Sequence, residues 1–213
     1  ANAAVITSEL KPWIDEQAKN WSPGYSYKFG GADENAAENM GAVIVWLPFC
    51  GFLILMLLII QFNSLRKMIM VYCTIPLSLI GVSIGLLVFQ EPFGFMPFLG
   101  VIALAGIIIN NAIVLIDRIE VEQTELKRKE EDAVITACVQ RFRPIVLATF
   151  TTVLGLIPLY LTGGEMWEGM AVSIMIGLLF GTIITLLFIP AFYSMLFKVD
   201  YKGYEFDDKL IED

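Results

Sequence analysis

Five stretches of the chain carry no Asp, Glu, Lys or Arg: Gly41–Leu65, Met68–Gln90, Pro92–Ile116, Pro144–Gly164 and Gly169–Phe197. Each reaches the roughly 20 residues that a helix needs to cross a bilayer core of about 30 Å. Inside these runs the small and polar positions recur at helical spacing. In the third, Ala103, Gly106, Asn110 and Asp117 fall on one face, while Ile107, Ile108 and Leu115 cover much of the rest. The second run places Ser78, Gly81 and Gly85 on one side, and the fourth does so with Ala148, Thr151 or Thr152, Gly155 and Thr162. In the fifth, Ser173, Gly177, Gly181 and Thr185 step by four residues, a ladder that lets helix backbones approach closely. The pattern predicts an all-α polytopic bundle of five transmembrane helices. Gly106, Gly155, Ser173, Gly177, Gly181 and Thr185 are its expected packing positions.

The segments between the runs set the expected topology. Of the 14 Lys and Arg, 11 follow the first, third and fifth runs, and Lys11, Lys19 and Lys28 precede the first. Basic residues collect in cytoplasmic loops, so residues 1–40 are expected outside and residues 198–213 in the cytoplasm. Asp117, Arg118, Arg141 and Arg143 then sit as anchors at the inner interface. In residues 1–40, Thr7 or Ser8 is placed to cap a helix reaching about Asn20, Pro23-Gly24 reads as a turn, and Tyr25–Phe29 alternates like a strand. This short extramembrane α/β remnant is too small to bury a core alone. A chain that starts outside with neither an initiator Met nor an export signal is expected to be part of a longer one.

Residues 118–143 form the long cytoplasmic connection. Ala133, Val134, Ala137, Cys138 and Phe142 recur near helical spacing opposite Glu130, Glu131 and Asp132, which predicts an amphipathic helix lying on the membrane face. Pro48, inside the first run, reads as a tolerated kink.

Composition narrows the chemistry. The chain is 57% hydrophobic, contains no histidine, and places Cys50 and Cys73 in membrane runs and Cys138 in the connection. No disulfide framework, metal-ligand spacing, catalytic constellation or nucleic-acid signature results, so the expectation is a non-enzyme without metal or cofactor whose first partner is the lipid bilayer. No acid or base lies in the interior of any run. A proton pathway normally needs a titratable group at membrane depth, so this chain by itself offers only hydrogen-bonding support, from Asn110, Asn111, Thr149, Thr151 and Thr152. Adjacent asparagines point about 100° apart: one faces a cavity where the other packs. Alternatively, these amides and hydroxyls are plain helix glue.

Two stretches carry a family resemblance. Phe98–Arg118, with its Gly106-Ile-Ile-Ile-Asn-Asn core, and Arg141-Phe-Arg-Pro through Pro158 resemble the resistance-nodulation-division (RND) efflux transporters. The resemblance covers the whole chain. It implies that residues 1–40 end a periplasmic porter segment and that the five runs correspond to transmembrane helices eight to twelve of twelve. It further implies an inner-membrane homotrimer exporting amphiphilic compounds by proton antiport, with a periplasmic adaptor and an outer-membrane channel. The N-terminal half of the same transporter would carry the proton-binding aspartates. Where multidrug members often have a lysine in helix ten, this chain has Asn110; where helix eleven often has a threonine, it has Ala148, followed by Thr149. Loss of that cation implies coupling by hydrogen bonds, with a partner aspartate that holds its proton more readily. A structural or regulatory subunit without coupling, and a lipid-exporting or translocation relative, remain as alternatives.

Overall fold

The computed structural model describes residues 3–22, 24, 25, 27, 32–199 and 201. These contain six helices: α1 (Ala3–Ala18), α2 (Ala32–Phe62), α3 (Leu65–Phe89), α4 (Phe95–Thr124), α5 (Glu130–Thr162) and α6 (Glu165–Phe197). Among the described residues, five helices are long and apolar enough to cross a membrane: α3, α4 and α5 over their full lengths, α2 from Asn39 to Phe62 and α6 from Met166 to Phe197. No strand occurs among the described residues. Tyr25 and Tyr27 are in no regular element, and the other three residues of the expected Tyr25–Phe29 strand lie outside the described ones.

Two compact units, residues 1–50 and 51–213, divide the chain within α2. In the first, the Tyr27 hydroxyl donates to Asp15, and the Trp21 and Tyr27 rings meet edge to face at 5.9 Å. The second is built around α6, which packs against α3, α4 and α5.

The small-residue positions explain how α6 gets so close to its neighbours. A Cβ added at Gly177 would strike Leu104 of α4 and come within 2.7 Å of Val82 of α3. One at Gly181 would strike Ile108, and one at Gly85 of α3 would lie 2.7 Å from Ile176. Ser173 and Thr185, the ends of the ladder, are fully buried. Around these contacts, Val82, Leu86, Leu104, Ile108, Val172 and Leu178 form one apolar cluster. A larger one at the other end joins residues of α2 to α6, including Leu58, Met70, Leu115, Ile119, Val134 and Ile189.

The connection between the third and fourth spans differs from the expectation. Residues 130–143 are helical, but they are the first turns of α5 itself, uninterrupted by Pro144. Ala133, Val134 and Ala137 are buried, the last two in a cluster with residues of α4 and α6, and only Phe142 of the expected membrane-facing set is exposed. α4 correspondingly continues past Ile116 to Thr124, leaving five residues, 125–129, as the turn. Arg66 and Lys67 likewise lie in the first turn of α3, and the break before them is at Asn63-Ser64, with Asn63 in the left-handed region (φ 43°).

Candidate functional site

Asn110 and Asn111 end up in different surroundings, as their angular separation requires. Asn111 is buried, 9% exposed, whereas Asn110 is exposed. Among the described residues neither amide makes a side-chain hydrogen bond. Asn110 belongs to an uncovered strip. Ala103, Gly106, Asn110 and Asp117 are all exposed on the same side of α4, and a Cβ at Gly106 would meet nothing within 4 Å.

A second strip runs along α5. Ala148, Thr151, Gly155 and Thr162 are exposed and Thr152 is half-buried. Thr151 and Thr152 both donate to the Ala148 carbonyl, each at 2.9 Å, so their hydroxyls are satisfied locally and need no partner to remain in an apolar setting. Gly155 also has open space where its Cβ would be. Among the described residues, Gly106 and Gly155, expected above as packing positions, therefore have nothing against them, in contrast to Gly177 and Gly181. The burial is correspondingly uneven: 56% of the most apolar window of α6 is covered, against 11% for α5.

Thr149 takes the opposite direction from its neighbours. It is buried, and its hydroxyl lies 2.8 Å from that of Thr182 in α6. Thr182 was not among the expected site residues; its spacing to Thr185 and Gly181 puts it just off the ladder, where a hydroxyl looks like filler. Replacing Thr149 with Val should leave Thr182 unpaired and cost about 1 kcal/mol, the usual worth of an interhelical hydrogen bond in a membrane. Thermal denaturation of the Thr149→Val and Thr182→Val variants, singly and together, checks this: the double variant should cost little more than either single one.

The expected interface anchors are not equivalent. Asp117 and Arg143 are exposed. Arg141 is half-buried, and its Nε is enclosed without a hydrogen-bond partner among the described residues. Arg118 turns inward: it pairs with Glu122 at 2.6 Å and donates from Nε to Gln140 of α5 at 2.8 Å. Glu122, which was not among the expected site residues, is completely buried. Lys67 of α3 pairs with Glu120 at 2.7 Å, joining the same end of α4 to a third helix.

Among the described residues, the two strips thus hold no acid–base pair at membrane depth. They offer an uncovered row of small and amide side chains on two neighbouring helices, backed by a tightly packed third.

Comparison with known proteins gives the family. The chain matches the AcrB/AcrD/AcrF family over residues 1–197. It is 28% identical over 175 residues, 81% of its length, to the multidrug resistance protein MdtC of Pectobacterium atrosepticum, covering 17% of that protein. It is 31% identical over 201 residues, 93% of its length, to HelA of Legionella pneumophila, covering 19% of it. Among solved structures, a crystal structure of a heavy metal efflux pump is similar with a TM-score of 0.72 and 25% identity, over 92% of this chain and 20% of that one. The chain spans about a fifth of the length of the relatives it matches. It belongs to the AcrB/AcrD/AcrF family of resistance-nodulation-division transporters, which are not enzymes, as a multi-pass membrane segment.

Proposed function

We propose that this chain is the C-terminal membrane portion of an inner-membrane RND exporter that moves drugs or other amphiphilic compounds by proton antiport. Its five spans correspond to helices eight to twelve, residues 1–40 end a periplasmic porter segment, and residues 198–213 are a cytoplasmic tail. The observation that carries this reading is the pair of uncovered strips on α4 and α5. Glycine and amide positions on a membrane helix are there to be packed on, since lipid gains nothing from them. The occupant this reading supplies is the N-terminal half of the same transporter, with its proton-binding carboxylates opposite Asn110. Thr151 and Thr152 line the neighbouring helix, and Thr149 and Asn111 support it from within.

The family implies the remaining partners: two further copies in a homotrimer, a periplasmic adaptor and an outer-membrane channel. The multidrug relatives support amphiphilic cargo.

The test is transport by the full-length protein reconstituted in vesicles. Export of an amphiphilic dye should follow an imposed proton gradient and stop when the gradient is collapsed. Gradient-independent export, or none by a correctly folded trimer, would leave the reading without support.

Orientation follows from the basic residues and has its own check. With Cys50, Cys73 and Cys138 removed, single cysteines in the turn at 125–129 should react with an impermeant thiol reagent only from the cytoplasm. Those at Gly163 or Gly164 should react only from outside. Equal reaction of both from outside would reverse or break the topology.

A further inference from the structure

A carboxylate with no access to solvent lies at the inner end of α4. Glu122 is 0% exposed, and both of its oxygens are reached by guanidinium groups: Arg118 at 2.6 Å and Arg128 at 3.2 Å. Neither oxygen has a further hydrogen-bond donor among the described residues. A charge removed from water is costly, several kcal/mol in practice, and here the two arginines are all that offset it. Each arginine also reaches α5. Arg118 donates to Gln140 at 2.8 Å, and Arg128 donates to Thr136 at 3.1 Å. The backbone ties the turn to the end of α4 as well, because the Arg128 amide donates to the Glu122 carbonyl at 3.1 Å. Glu122 therefore joins the end of α4, the turn and the first three turns of α5 in one network.

Helices α4 and α5 are also the two that bear the uncovered strips. We propose that Glu122 is a positioning residue: through Arg118 and Arg128 it fixes the register of α4 against α5, so that Asn110 and the Thr151–Gly155 strip move as one body. This purpose rests on the reading of the strips given above; the register itself does not. Without the latch the two helices would be held to each other mainly by Ala133, Ala137 and their apolar neighbours, while the buried Thr149–Thr182 hydrogen bond ties α5 to α6 and not to α4. An apolar replacement of the three charged residues would pack as well. The charged form supplies directionality, since a buried ion triad has one low-energy arrangement where apolar contacts have many.

The test uses the full-length transporter in lipid bilayers with Glu122→Gln, which keeps the shape and removes the charge. Two structural readouts and one transport readout are taken. Amide exchange in the turn at 125–129 should speed up about a hundredfold, the range expected when one partner of a buried ion pair is removed. Nitroxides at Ile102 on α4 and Leu154 on α5, both exposed positions, should give one narrow distance distribution in the parent protein and a broad one in the variant. In vesicles, protons consumed per exported molecule should rise severalfold, whereas simple loss of folded protein lowers both fluxes in proportion. The double variant Glu122→Gln/Arg128→Gln, which loses one charge of each sign and with Arg128 the bond to Thr136 of α5, should keep the distribution broad. It is also the variant to read if the single one does not fold.

Faster exchange with an unchanged 102–154 distribution would show a local staple only and overturn the proposal; so would no change in either readout. A broad distribution with normal exchange would place the register elsewhere and overturn it too. Failure of gradient-driven export in the parent protein would remove the transport reading while leaving the register measurement intact, so the two failures are separable.

Discussion

Asn110→Leu in the full-length transporter should lower proton-driven export by about tenfold to a hundredfold, the equivalent of one hydrogen bond to a charged group, roughly 1.5–3 kcal/mol. Asn110 is the deepest polar side chain on the uncovered strip of α4, and its amide makes no side-chain hydrogen bond among the described residues. In the proposed arrangement its amide donates to a carboxylate of the preceding half. Leucine removes that donor and dries the pocket, and both changes disfavour the ionised form. Proton release then slows, and the cytoplasmic pH that gives half-maximal export should move upward. Asn111→Leu provides the comparison. That amide is buried without a side-chain partner, so an apolar group of similar size should leave stability level or slightly higher and cost less export. Export and its pH dependence in vesicles, normalised to the amount of trimer, decide between the two.

The second large effect separates glycines that pack inside this chain from glycines that pack outside it. Gly177→Leu drives a side chain into Leu104 and Val82 and should destabilise the chain by about 1–3 kcal/mol or more. It should do so whether the chain is expressed alone or in the full-length protein. Gly106→Leu and Gly155→Leu meet open space in this chain, so the isolated chain should melt as the parent does. In the full-length transporter the same substitutions should lower the melting temperature as Gly177→Leu does, because the partner half now occupies that space. Ile183→Leu, at an exposed position, should change neither. If Gly106→Leu were as harmless in the full-length protein as in the isolated chain, the α4 strip would be a lipid-facing surface.

Much of this was legible in the sequence for a physical reason. A membrane span must be apolar for some 20 residues, so the five runs marked five helices, and the four-residue steps of α6 marked the face on which α3 and α4 pack. Helix ends were less legible. Charged residues ended the runs, but helices in water carry charges freely, so α4 continued to Thr124 and α5 began at Glu130. The same charges hid Glu122. A lone carboxylate among Glu120, Glu125 and Arg118 looks solvated until the fold wraps Arg128 and α5 around it. The strips show the last difficulty. Gly106 and Gly177 read alike, because a small residue marks a close approach without saying which helix makes it. Only the fold shows that Leu104 and Val82 approach Gly177, while nothing in this chain approaches Gly106.

The central claim is that the Asn110 side of α4 faces protein and not lipid. A nitroxide at position 110 of the full-length transporter in a bilayer measures this directly through its collision rate with dissolved oxygen, which is high in lipid and low inside a packed bundle. The account predicts a rate as low as that at the buried Asn111 position, with neighbouring labels at 103 and 106 equally shielded. A lipid-like rate at 110 would contradict it.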